Sequence, residues 1–301
     1  MGNTCTLLIA DSGSTKTDWA IIAAGTEPVV IQTQGINPVH QSREEIVRIL
    51  SDEFQTRMSE NQEVRKLKSS GRLTPEFPYA VYFYGSGVRP EKEALVAQIL
   101  YEVFPQASTV EAHSDLLGAA RALCGRKEGI ACILGTGANS CLYDGTQIVK
   151  HTPAMGYILG DEGSGAVLGK RLIHHLYSGQ LSEDLKNLFE QETKLTLPIL
   201  IERVYRQPLA NRFLASLSDF ISRHIDEEEE LQTLVHDNFT DFLSININPY
   251  GRPDLPVSFV GSVAWYYQHQ LREAADRVHF KVGTIFRSPL EGLIKYHQEK
   301  S

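Results

Sequence analysis

The chain has 301 residues, 42% of them hydrophobic and 22% charged, with 29 lysines and arginines against 37 aspartates and glutamates and a formal net charge of −8. These figures exclude a disordered chain, a collagen and a coiled coil, and they argue against a nucleic-acid partner, because phosphate backbones are gripped by a basic face. A small anionic ligand stays open, since backbone N–H groups hold phosphate without net positive charge.

At roughly 100–200 residues per domain the length predicts two domains. Met1-Gly2 followed by Thr6 fits an N-myristoylation pattern, with Cys5 as a second acylation site. Leu7 to Ala10 already reads as a buried strand, however, and no spacer separates it from the lipid site. Apolar runs at 5–11 and 19–24 flank a Gly/Ser/Thr turn and predict a hairpin. Residues 42–57 place Ile46, Ile49, Leu50 and Phe54 at a helical period. A hydrophilic stretch at 59–78 reads as a helix tail and an exposed loop. A strand at 79–84 stops at Gly85-Ser86-Gly87, a helix follows at 91–104, and a short strand at 108–112. This alternation predicts an α/β sheet.

After a helix at 114–124 the opening pattern returns. Residues 129–134 form an apolar strand, 135–140 a small-residue turn, and 141–143 a strand that Asp144-Gly145 turns back. The layout matches residues 10–19 and points to an approximate internal duplication. The remainder reads as helices at 163–178, 182–192, 198–205 and 209–247, with Asp226–Glu230 as a solvated helix face. A strand at 257–260 then meets Gly261-Ser262, and two helices close the chain. Cysteines 5, 124, 132 and 141 show neither Cys-x-x-Cys nor Cys/His ligand spacing, which predicts reduced thiols in a cytoplasmic protein. No apolar run approaches a membrane span and no secretory signal opens the chain, so no membrane partner is expected.

Asp11 ends a strand and precedes Ser12-Gly13-Ser14-Thr15-Lys16-Thr17. Such a turn can hold phosphate oxygens on its N–H groups while the carboxylate holds Mg²⁺, with Lys16 and the hydroxyls of Ser14, Thr15 and Thr17 as further donors. A polar hairpin with an Asx-type bond from Asp11 accounts for the same residues equally well. The turn at 135–140 repeats the arrangement, and two such hairpins facing each other would grip a nucleotide's phosphates from both sides.

At these residues the sequence resembles the sugar kinase/heat-shock ATPase/actin superfamily, and within it the N-acetylglucosamine kinase group, which shares a family with ATPase activators of CoA-ester reductases and dehydratases. The resemblance runs through ADSGSTKTDW, GINPVH, YFYGSGV, HSDLLGAARAL, CILGTGANSCLY, GYILGDEGSGAVLG, PVSFVGSVA and SPLEGLIKYH. It implies an α/β fold of two ribonuclease H-like (actin-like ATPase) domains around a central nucleotide cleft. One domain would comprise 1–112 plus 288–301, and the other 113–287 with helical additions. The implied activity is ATP- and Mg²⁺-dependent phosphorylation of an amino sugar, N-acetylglucosamine at its 6-hydroxyl. The resemblance leaves room for a homodimer.

Residue by residue, the resemblance makes Asp11 the Mg²⁺-associated carboxylate and Gly13, Ser14, Thr15, Lys16 and Thr17 the first phosphate motif, although Ser12 and Ser14 stand where many members have glycine. Gly135, Thr136, Gly137 and Asn139 would form the second phosphate motif, with Thr136 and Gly137 also near the sugar. Gly261 and Ser262 would be the adenosine motif, or else a plain strand-to-helix turn. Asp115 would take the proton of the attacking hydroxyl, a role compatible with helix capping by Ser114 or Asp115. Asp161 would bind sugar hydroxyls, whereas Glu162 could act as a charge near a helix N-terminus. Asn37 and Ser86 would contact the sugar, and both also have an ordinary turn reading. His174-His175 lack a metal-ligand spacing, and Trp19, Trp265, Tyr266 and Tyr267 read as packing. Two alternatives stay open: an ATPase activator with an iron–sulfur cluster held on cysteines between two subunits, and a non-catalytic sugar or nucleotide sensor. The cysteine-rich zinc motif of the neighbouring repressor-related kinases is missing.

Overall fold

The computed structural model describes residues 6–13, 15–74 and 77–299; the acylation pattern at Gly2 and Cys5 lies outside the described residues, as does Ser14. Two compact units emerge, Met1–Gly125 with Pro289–Ser301, and Arg126–Ser288.

The first unit is built on a five-stranded sheet of β1 (Leu7–Ser12), β2 (Lys16–Ile22), β3 (Val29–Gln34), β4 (Ala80–Gly85) and β5 (Thr109–Ser114), in the order β3-β2-β1-β4-β5. β1, β2 and β3 form an antiparallel meander, while β4 and β5 run parallel to β1. Parallel strands are covered on both faces and so read as unbroken apolar runs, as LLIA in β1 does. One face buries Trp19 against Phe54, edge to face with ring centroids 5.0 Å apart. The other face lies under the helices Asp115–Cys124 and Leu290–Gln298, over a small core that includes Ile9, Ala20 and Leu293. In register, Ser12 sits opposite Gly85 and Gly85 opposite Ser114. The C-terminal ends of the three parallel strands therefore lie level along one edge.

The second unit repeats this scheme with β6 (Gly129–Leu134), β7 (Ala138–Tyr143), β8 (Ile148–His151), β9 (Val257–Val260) and β10 (Val282–Phe286), ordered β10-β9-β6-β7-β8. β6, β7 and β8 are antiparallel, and β9 and β10 are parallel to β6. The duplication read from the two turns thus extends to the whole sheet. Helices from Gly156 to Phe242 are inserted between β8 and β9 and build the larger core, around Phe189, Phe220, Phe239 and Phe242.

Several local expectations are corrected. β3, β8 and β10 are absent from the sequence reading because they are edge strands, shorter or mixed in polarity, such as IVKH in β8. The segment 209–247 is not one helix but Ala210–Ser216, Ser218–His224 and Glu229–Phe242, followed by a π-turn at Leu243–Ile247. Within it, Asp226–Glu230 spans a turn and the next helix start rather than a continuous helix face. Carboxylates are unfavourable at the C-terminal end of a helix and favourable in a first turn, where Glu229 and Glu230 stand. No helix among the described residues is long and apolar enough to cross a membrane.

Candidate active site

Along the level edge of the first sheet the sequence motifs come together. In register with Tyr84, Asp11 stands half-buried one residue before the end of β1, and the hairpin that follows closes with the Gly13 N–H donating to the Lys16 carbonyl at 2.9 Å. Thr15 and Lys16 are exposed on this turn. Lys16 pairs with Asp18 at 2.8 Å. Thr17 is buried, its hydroxyl 2.7 Å from that of Ser12 and donating to the Gln34 carbonyl at 3.2 Å, so it braces the turn from inside rather than adding an exposed donor. The Ser12 hydroxyl also accepts from the Ile36 N–H at 2.9 Å, which ties the hairpin to the Asn37 segment. Serine in place of glycine at 12 therefore supplies a brace, a role the sequence pattern alone does not reveal.

Asn37 is largely buried, caps its own turn through the Val39 N–H at 2.9 Å, and leaves no room for a side chain at Gly87. That contact brings Asn37 to the Gly85-Ser86-Gly87 turn, and the Ser86 side chain in turn hydrogen-bonds Asp115. Ser114 is the N-cap of the helix Asp115–Cys124, its hydroxyl accepting from the Leu117 N–H at 3.2 Å. Asp115 is thus relieved of capping. Its carboxylate accepts from the Leu116 N–H at 2.8 Å, yet enclosure by the protein disfavours the charged form and holds the carboxyl above the ordinary aspartate range. Below it, the buried Tyr84 hydroxyl accepts from Arg121 at 2.7 Å and lies 2.9 Å from His297 Nε2. This network locks the Asp115 helix to the sheet and to the last helix, and no motif in the sequence announces it.

In the second unit, the turn after β6 closes with the Gly135 N–H donating to Gly137 at 3.0 Å. The helix Gly165–Tyr177 starts on this turn, its Gly165 and Ala166 N–H groups donating to the carbonyls of Gly135 and Thr136 at 2.8 and 3.2 Å. Asp161 lies so close that a Cβ built on Gly137 would stand 2.9 Å from its Oδ2. Its carboxylate takes the N–H groups of Gly156 and Ala138, but burial, aided by the neighbouring Glu162, raises its pKa. Asn139 braces the loop: its Oδ1 accepts from the Ser140 N–H at 3.0 Å and lies 2.9 Å from His151 Nε2. Gly261, at φ +125°, presses its backbone against the Leu134 carbonyl, so only glycine suits both the dihedral and the approach. Ser262 follows it, exposed, at the start of a short helix.

Asp161, Gly137, Asn139 and Gly261 therefore gather around one turn in the second unit, and Asp11, Asn37, Ser86 and Asp115 along one edge in the first. Among the described residues, no group of three or more His, Cys, Asp or Glu could hold a metal ion.

No family model matches this chain, and no curated protein matches it either. Among solved structures, a candidate N-acetylglucosamine kinase from Porphyromonas gingivalis is 46% identical, covering 97% of this chain and 99% of its own, with a TM-score of 0.86. The chain belongs to the N-acetylglucosamine kinase-like family. A second candidate N-acetylglucosamine kinase, from Chromobacterium violaceum, is 18% identical over 97% of this chain and 98% of its own, with a TM-score of 0.71. The ROK hexokinase of Thermus thermophilus is 14% identical over 98% and 99%, with a TM-score of 0.51. These two share the fold. Membership makes this N-acetylglucosamine kinase-like protein a phosphotransferase of the sugar-kinase class.

Proposed function

We propose that the protein transfers the γ-phosphoryl group of ATP to the 6-hydroxyl of an amino sugar, N-acetylglucosamine. The observation that carries this reading is Asp115, at the C-terminal edge of a parallel sheet where such folds bind their ligands, freed from capping, bonded to Ser86 and raised in pKa by burial. A carboxylate so raised is a stronger base than an ordinary one. It takes the proton of the 6-hydroxyl as the oxygen attacks the γ-phosphorus and the bond to the bridging oxygen of ADP breaks. Asn37, Ser86, Asp161, Thr136 and Gly137 would orient the sugar.

Gly13, Ser14, Thr15 and Lys16 of the first turn, braced from inside by Thr17, and Gly135, Gly137 and Asn139 of the second would hold the phosphates, while Gly261 and Ser262 would lie along the adenosine. A single carboxylate, Asp11, fits Mg²⁺, which keeps its waters and binds through one or two carboxylates plus substrate phosphates. When bound, that ion would neutralise charge on the β- and γ-phosphates. The iron–sulfur activator reading is disfavoured by Cys132 and Cys141, both buried.

ADP release in the presence of ATP and Mg²⁺, measured across a panel of amino sugars and hexoses, tests the proposal. Sugar-dependent turnover, greatest with N-acetylglucosamine, is expected. Equal turnover without any sugar rejects a kinase, and a clear preference for a plain hexose rejects the amino sugar.

A further inference from the structure

The helix Glu229–Phe242 points Leu231, Leu234, Val235, Phe239 and Phe242 into the core of the second unit, and Asn238 shares that buried side. An amide in such a row is tolerated only when its polar atoms find partners. Asn238 is 0% exposed, and its Oδ1 accepts from the Gly163 N–H at 3.2 Å while its Nδ2 donates to the Ser164 carbonyl at 3.5 Å. Both functions of the side chain are thus spent on the backbone two and three residues after Asp161.

That loop needs holding. Asp161 has φ +61° and Gly163 φ +81°, two left-handed residues out of three. A non-glycine residue keeps such a conformation only where its surroundings over-determine it. On one side the Asp161 carboxylate takes the N–H groups of Ala138 and Gly156. On the other, a Cβ on Gly163 would stand 2.8 Å from that of Phe242, so the loop rests directly on the helix that carries Asn238. Ser164 then caps the next helix through the Val167 N–H at 3.1 Å.

We infer that Asn238 is a positioning residue: by clamping Gly163 and Ser164 it sets the left-handed turn that aims the Asp161 carboxylate at the hydroxyls of the sugar. This rests on the reading of Asp161 as a sugar ligand.

Steady-state kinetics of Asn238→Ala, Asn238→Leu and Asn238→Asp against both substrates test it. Displacing a binding group by about 1 Å can cost on the order of 100-fold. The alanine and leucine variants are therefore expected to raise the KM for sugar by about 10- to 100-fold, with kcat and the KM for ATP near wild type. Asn238→Asp keeps the acceptor for the Gly163 N–H but gives up the amide donor to the Ser164 carbonyl, and is expected to recover part of the sugar affinity. Equal effects on both substrates overturn the inference, as does an unchanged sugar KM in a background where Asp161→Asn raises it. If Asp161→Asn leaves the sugar KM unchanged, the sugar role of Asp161 fails first and the inference with it. In the unmutated protein the Gly163 amide is expected to be protected from hydrogen exchange without ligand. Exchange at the rate of a free peptide would overturn the clamp whatever the variants do.

Discussion

The two sheets share one strand order and end in different chemistry. At the edge of the first, the hairpin after β1 is exposed and rich in hydroxyls, and it is braced by its own side chains, Ser12 to Thr17 and to Ile36. At the edge of the second, the turn after β6 is made of glycine and threonine and braced by other elements' backbone, the start of Gly165–Tyr177 and the close approach of Gly261. The first edge also carries the carboxylates Asp11 and Asp115, whereas at the second Asp161 is held against the turn itself. Duplication preserved the scaffold and left each copy to support its turn by a different means. One copy is sensitive to loss of a hydroxyl and the other to gain of a methyl group.

The largest effect should come from removing the base at the first edge. Asp115→Asn is expected to lower kcat by about 10²- to 10⁴-fold while ATP binding, followed by calorimetry, persists. The same variant should melt at a higher temperature at neutral pH. A carboxyl whose folded pKa is raised favours the protonated fold, so stability is fullest below the unfolded pKa and is lost as pH rises through the folded value. Asparagine removes that loss. In the wild type the acidic limb of kcat/KM should accordingly lie above the ordinary aspartate range. A limb at the ordinary position would deny Asp115 the role of base.

Next in size, Gly261→Ala puts a Cβ at φ +125° against the Leu134 carbonyl. A destabilisation of about 1–3 kcal/mol and weaker ATP binding should appear in thermal melts and titrations. Gly13→Ala, whose Cβ would meet nothing nearer than the Lys16 carbonyl at 3.7 Å, is the contrasting control. If the two behave alike, the proposed difference between the turns is wrong.

Ser12→Ala should cost about 1–2 kcal/mol, because it strips partners from buried groups at Thr17 and Ile36. Its counterpart in the second copy has no hydroxyl to lose. Smallest is the Lys16–Asp18 pair, exposed on the lysine side and worth under about 1 kcal/mol. Lys16→Ala should leave the melting temperature nearly unchanged, so any rise in the KM for ATP reports contact with phosphate and not a weakened fold.

Much of this was legible from local pattern. β1 and β6 announce themselves as apolar runs ending in small-residue turns, and Asp115 and Asp161 stand in motifs with recognisable neighbours. Edge strands such as β3 and β8 were not legible, because polar and apolar residues mix where one side of a strand meets solvent. Asn238 did leave a trace, as an amide at a position whose helical neighbours Val235, Phe239 and Phe242 are all apolar, but nothing along the chain says which loop it meets. Tyr84, Arg121 and His297 leave less, since their partners are as many as 213 positions apart.

By itself the sequence determined which segments turn and which carry carboxylates and hydroxyls, because backbone preference and chemical type are local properties. Only the tertiary structure decided that Ser114 caps so that Asp115 does not, that Thr17 faces inward, and that a buried amide holds the Asp161 loop. Those outcomes depend on which polar atoms lose water and must find partners across the fold.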